Sequence, residues 1–233
     1  MKSIAVIGLS PFGYQIAVSL AHKGFDVIAL DENVEMVAEI KDLVSQAIVI
    51  DSTDEKAMWS INIDNVDKVI LAMGSNVQAS LLTTALLQSM QIEDIYVRAI
   101  NSLQENILRS MGIKHIINIE KEMGIQIANI LSSERVGKYV EISERHSLVE
   151  VVVPKSFVGK SLIQLDFRAK YAINIVGIKT RIPEVKDNGE VAYSLHMTDV
   201  PDPHYPLQKD DILVMAGTDD NLSKILRIDK DND

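Results

Sequence analysis

The sequence predicts an α/β fold, a doubly wound parallel sheet followed by a small α+β domain. Three observations predict it. Short β-branched runs alternate with helical patterns through the first half, the first run passes straight into a glycine turn, and the texture changes near residue 135. Ile4-Ala5-Val6-Ile7 suits a buried parallel strand. Ile16, Ala17, Leu20 and Ala21 then repeat at helical spacing and stop at Gly24, a residue suited to a helix end. Val27-Ile28-Ala29-Leu30 is a second buried strand, closed by Asp31. An amphipathic helix is expected over 34–45 with Val34, Val37, Ala38 and Ile40 inward. Ala47-Ile48-Val49-Ile50 is a third strand, and Thr53 or Asp54 beyond it can cap a helix. Lys68-Val69-Ile70-Leu71-Ala72 is a fourth strand, before a long helix over 77–90. Strands over 95–99 and 115–118 flank a helix over 102–111, and one more helix is expected over 121–134. Repeated βα units of this size require a parallel sheet with right-handed crossovers.

After that helix the alternation stops. Strands are expected at 139–142, 148–153, 173–178 and 211–216, with helices at 159–169 and 218–227. Five of the six prolines fall in this half, mostly in one loop. The expected domains are therefore 1–136, a Rossmann-like unit, and 137–233, an α+β unit.

Ligands of open α/β sheets sit beyond the C-terminal strand ends, at the switch point. The turn Gly8-Leu9-Ser10-Pro11-Phe12-Gly13 lies at such an end. In the dinucleotide pattern the first glycine makes the tight turn, the second admits the pyrophosphate and the third lets helix and strand approach. Gly8 and Gly13 hold their places, Ser10 stands for the middle glycine, and Asp31 stands where an acid binds ribose hydroxyls. The bland alternative is a fold in which Gly8 and Gly13 serve only the chain path. Asp51, Gly74, Arg98 and Glu120 also fall at or just beyond strand ends.

Composition excludes several classes. A net charge of −10 argues against sequence-independent nucleic-acid binding, which needs clustered Lys and Arg. There are no cysteines, hence no disulfide framework and no thiolate chemistry. No apolar run approaches the ~20 residues that cross a bilayer, and the N-terminus enters a strand directly, without a signal peptide. These features suit a cytoplasmic protein. The five histidines lack metal-ligand spacing, and no nucleophile elbow is present.

Taken in order, a set of segments resembles the gating subunits of bacterial potassium uptake systems of the Ktr/Trk type, built on the regulator-of-potassium-conductance (RCK) domain. They are Val6-Ile7-Gly8-Leu9 with Phe12-Gly13, the Val27–Asp31 strand, Asp51-Ser52-Thr53-Asp54, Ala72–Ser80, Val97-Arg98-Ala99 and Ile119–Gly124. In the second half they are Gly159–Leu162, Asp166–Tyr171, Ile173–Ile178 and Asp210–Gly217. The resemblance implies a cytoplasmic homo-oligomer, a ring of dimers and often an octamer, docked at the inner face of the membrane on a separate potassium transporter subunit. It implies an adenine nucleotide, ATP/ADP or NAD/NADH, bound in the Rossmann cleft, whose binding gates the pore by population shift. The chain departs from the family turn Gly-x-Gly-Arg-Phe-Gly at Ser10 and Pro11, and Pro11 brings neither a charge nor an N–H.

The expected cofactor-binding residues are Gly8, Ser10, Pro11, Phe12, Gly13, Asp31, Asp51, Ser52, Thr53, Gly74, Ser75, Asn76 and Arg98. For Asp51, Ser52 and Thr53 ordinary helix capping is the competing reading; for Gly74, Ser75 and Asn76 it is turn chemistry, and for Arg98 simple ion pairing. The resemblance makes Glu120 a residue that helps hold a divalent cation between subunits. It makes Arg168, Ala169, Asn174 and Ile175 the positions where some members bind cyclic di-AMP. Two other functions compete, a small NAD-dependent oxidoreductase and a freestanding nucleotide sensor. The enzyme would need a Tyr-Lys pair or a His at a substrate pocket, and neither is recognisable. Apolar residues spread widely on two helices, Leu81, Leu82 and Leu86 on one and Leu103 and Ile107 on the other, point to at least a homodimer.

Overall fold

The first strand of the computed structural model, β1 (Ser3–Ile7), is the centre of a six-stranded parallel sheet. The structure describes residues 2–131, 136–185 and 191–228. Residues 132–134 of the expected helix, and residue 135, lie outside them. The chain divides into two compact units, Met1–Glu122 and Met123–Asp233.

In the first unit β1 is followed by α1 (Pro11–His22), β2 (Asp26–Asp31), α2 (Val34–Ile40) and β3 (Gln46–Val49). Then come α3 (Glu55–Ser60), β4 (Lys68–Leu71), α4 (Val77–Ser89), β5 (Ile95–Arg98), α5 (Ser102–Ser110) and β6 (His115–Ile117), before α6 (Ile119–Leu131). The sheet order is β3-β2-β1-β4-β5-β6, all parallel, so the order reverses between β1 and β4. This is the doubly wound arrangement that the alternating βα pattern predicts. Strand residues alternate between two cores. Ala5, Ile7, Leu71 and Val97 pack with Met58, Leu87 and Leu108 on one face. Val6, Val27 and Ala29 pack with Ala17, Val37 and Ile40 on the other.

The expected helix over 34–45 is shorter than its pattern. It ends at Ile40, where the N–H of Leu43 turns back onto the Ile40 carbonyl. Val37 and Ile40, one turn apart, face the sheet, whereas Val34, in the first turn, and Ala38 are exposed.

The second unit holds a five-stranded antiparallel sheet in the order β10-β9-β11-β8-β7. Its strands are β7 (Val136–Ser143), β8 (His146–Val152), β9 (Asn174–Val185), β10 (Val191–Thr198) and β11 (Ile212–Thr218). Three helices accompany them, α7 (Leu162–Leu165), α8 (Phe167–Tyr171) and α9 (Asp219–Arg227). Val149, Phe157, Phe167, Leu213 and Leu222 form their common core. The helix expected over 159–169 is two short helices, because Asp166 between them takes a left-handed conformation (φ 46°) and its side chain accepts from the N–H of Ala169 to start the second. β9 runs well past the expected end at Ile178 and pairs with β10, which the sequence reading did not anticipate.

Candidate functional site

A cavity of about 410 Å³ opens at the C-terminal ends of β1, β2, β3 and β4, at the reversal of strand order. Its floor is the turn after β1. Gly8 has φ 91°, and a Cβ there would meet Met73 Cγ at 2.8 Å, so two separate constraints require glycine. Its N–H donates to the Leu30 carbonyl at 2.8 Å. Ser10 and Pro11 continue the wall, with the Ser10 hydroxyl donating to the Ala72 carbonyl at 3.3 Å. Proline at the first helical position suits the start of α1. No side chain caps α1, whereas every other described α-helix begins with a side-chain oxygen accepting a backbone N–H.

Asp31 lines the cavity at the end of β2. Its Oδ2 accepts from the N–H of Leu9 at 2.5 Å and its Oδ1 from the N–H of Asn33 at 2.8 Å. Each carboxylate oxygen keeps a further lone pair for a ligand hydroxyl. Asp51 and Ser52 line the next side. Asp51 accepts from both the hydroxyl (2.7 Å) and the N–H (2.9 Å) of Thr53, and these bonds, the hydroxyl first, hold its carboxyl below the usual range. The buried Ser52 hydroxyl bonds that of Thr83 at 2.9 Å. Gly74, Ser75 and Asn76 line the far side, where Asn76 caps α4 through the N–H of Ala79.

Four expected residues lie off the cavity wall. Gly13 is buried beneath the turn, and a Cβ there would sit 1.9 Å from the Gly8 carbonyl oxygen. Thr53 serves Asp51. Phe12 offers its ring to Arg98, with the guanidinium carbon 5.6 Å from the centroid. Arg98 stands behind Gly74, where a Cβ would approach its Nη1 to 2.6 Å. Its Nη2 donates to Glu120 Oε1 at 2.5 Å, while its buried Nε has no partner among the described residues. The N–H of Glu120 itself and then Arg98 hold the Glu120 carboxyl below its usual range. No cluster of three or more metal-ligating side chains occurs among the described residues. The sequence reading missed Met36, Ile50 and Met73 on the wall, and also Glu32 and Asn33. The last two directly follow the strand-end acid, a signal that was available.

In the second unit Arg168 and Ala169 are exposed on α8, which packs against β9. Asn174, exposed, and Ile175 open that strand.

A parallel sheet in this order, with a glycine turn under a strand-end cavity and an antiparallel unit behind it in sequence, is a Rossmann-type domain joined to a small α+β domain. Residues 4–119 match the TrkA-N domain family and residues 148–230 the TrkA-C domain family. The chain is 39% identical over 223 residues to the Ktr system potassium uptake protein C of Bacillus subtilis (strain 168), covering 96% of this chain and 95% of that protein. It is 37% identical over 216 residues to the Ktr system potassium uptake protein A of the same organism, covering 93% and 91%. Among solved structures, the RCK domain of GsuK superposes with a TM-score of 0.63 at 15% identity, covering 97% of this chain and 47% of that one. The GsuK channel bound to NAD superposes with a TM-score of 0.64 at 14% identity, covering 97% and 39%. The chain belongs to the Ktr family of potassium uptake proteins, with a TrkA-N domain followed by a TrkA-C domain. No helix among the described residues is long and apolar enough to cross a membrane.

Proposed function

We propose that this chain is the nucleotide-binding regulatory subunit of a potassium uptake system and gates a separate membrane transporter subunit. The observation that carries the reading is the identity to two Ktr potassium uptake proteins over nearly the full length of both partners. The cavity supplies the ligand half of the reading. Its residues fit an adenine nucleotide: Gly8 makes the tight turn beneath the cavity, α1 presents an uncapped N-terminus, and Asp31 offers acceptor capacity to ribose hydroxyls. GsuK, of like fold, is solved with NAD. Ser10 and Pro11 flank the phosphates, Asp51 and Ser52 the base side, and Ser75 and Asn76 the opposite end. Phe12, Gly13 and Thr53 support these groups from behind, and Arg98 carries ligand occupancy at Gly74 to Glu120. Its role is regulatory and not catalytic.

Gating follows from differential affinity: a nucleotide shifts the assembly only as far as it binds one state better than the other. The assembly is a homodimer that repeats into a ring, an octamer by the family resemblance, peripheral at the cytoplasmic face of the membrane. Glu120 of neighbouring copies helps hold a divalent cation, and Arg168, Ala169, Asn174 and Ile175 form a cyclic di-AMP site in the second domain, which begins at residue 137. The test is co-expression with a Ktr-type membrane subunit. Co-purification, with potassium uptake that depends on this chain, supports the reading; a chain that neither docks nor alters uptake contradicts it.

A further inference from the structure

The wall of the nucleotide cavity carries Asp31, Glu32 and Asp51 and, among its described lining residues, no Lys, Arg or His. The start of the phosphate turn is also poor in free donors, which leaves the first N–H groups of α1 as its donors. The N–H of Gly8 is committed to Leu30 and that of Leu9 to the Asp31 carboxylate, which places a negative charge directly against the turn. The Ser10 hydroxyl is directed to the Ala72 carbonyl, and Pro11 has no N–H to give. The nearest arginine, Arg98, lies behind Gly74 with its charge paired to Glu120. Asp51 is stabilised as the carboxylate by Thr53, so its charge persists at neutral pH.

We infer that the cavity selects a nucleotide of low charge density, one whose phosphates are esterified on both sides as in a dinucleotide such as NAD, and discriminates against a free triphosphate. This rests on the reading of the cavity as a nucleotide site. Like charges across a partly enclosed space repel far more than in bulk water, and α1 supplies only a partial positive charge at its N-terminus. A diphosphate diester brings two charges to the turn. A triphosphate brings up to four, against three carboxylates. Ribose hydroxyls gain from the same carboxylates, because they donate to them, and a dinucleotide presents two riboses.

The test is calorimetry of the intact chain with NAD⁺ and with ATP, each in EDTA so that no divalent cation neutralises the phosphates. NAD⁺ is expected to bind about tenfold more tightly than ATP. Glu32→Gln removes one exposed wall charge without changing shape, and is expected to narrow that gap by raising ATP affinity more than NAD⁺ affinity. ATP binding as tightly as NAD⁺ in EDTA, or a gap that Glu32→Gln leaves unchanged, overturns the charge selection and leaves the nucleotide site standing. Binding of neither at millimolar concentration overturns the nucleotide site itself, and the selection with it.

Discussion

Asp31 Oδ2 accepts a hydrogen bond from the N–H of Leu9 at 2.5 Å, so the acid ending β2 ties down the turn that follows β1. The same side chain faces the cavity. Structure and ligand recognition are thus joined in one carboxylate. Asp31→Ala leaves the N–H groups of Leu9 and Asn33 without their partner, and unpaired polar groups cost about 1–3 kcal/mol when they are not resolvated. Denaturant unfolding of the ligand-free protein should therefore show a loss on that scale, and nucleotide affinity should fall as well. A ligand-free midpoint equal to wild type would show that the Leu9 bond contributes nothing.

Gly13 is a second constraint, one of space. A Cβ there would lie 1.9 Å from the Gly8 carbonyl and 2.9 Å from Ala72 Cβ, both on the sheet side of α1. Backbone cannot yield as a flexible side chain does, so α1 must move off the sheet. Gly13→Ala is expected to cost about 3 kcal/mol, the upper part of the range for overpacking. Thermal and denaturant unfolding measure this, and a loss under about 0.5 kcal/mol, ordinary for a surface change, would contradict it.

The Arg98–Glu120 pair sets a pH dependence. Glu120 has a carboxyl pKa lowered from 4.5, first by its own N–H and then by Arg98, so the folded value lies below the unfolded one. Its contribution is therefore complete above pH 4.5 and is lost as pH falls through the lowered value. The Glu120 side chain is half exposed, so the pair contributes about 0.2–1 kcal/mol. Glu120→Gln should be less stable than wild type by that amount at pH 7, with the gap closing in acid and constant between pH 6 and 9. A gap that widens in acid would refute the assignment.

The strand-end layout was legible in the sequence because fully buried parallel strands read as continuous apolar runs, and because glycine, asparagine and aspartate mark the turns after them. Where side chains end up relative to the cavity was not legible. Arg98 sits on a strand end like Asp31, yet Gly74 separates it from the wall, and only the packing of β4 beside β5 decides that. β10 was missed because its residues Val191–Thr198 form an edge of an antiparallel sheet, where polar and apolar residues mix. The far half of β9 was missed because Lys179-Thr180-Arg181 and Pro183 look like loop. Pro183 is tolerated there since beyond Lys179 the strand pairs, among the described residues, only with β10.

Assembly is predicted to use the outer faces of α4 and α5. Leu87 and Leu108 are fully buried, but Leu82 is 53% and Leu103 70% exposed, and Ile107 is exposed as well. Leu82→Glu with Leu103→Glu should reduce the oligomer to a smaller species by light scattering, with monomer unfolding changed by no more than about 0.5 kcal/mol. An unchanged molar mass would place the interface elsewhere.

The most direct test of nucleotide-dependent gating is potassium flux into proteoliposomes that carry a Ktr-type membrane subunit, with this chain added outside. Flux is predicted to change on adding nucleotide only when the chain is present, and Asp31→Ala should require more nucleotide for the same change. Flux that depends on the chain but ignores every adenine nucleotide, or that responds identically without the chain, would contradict the account.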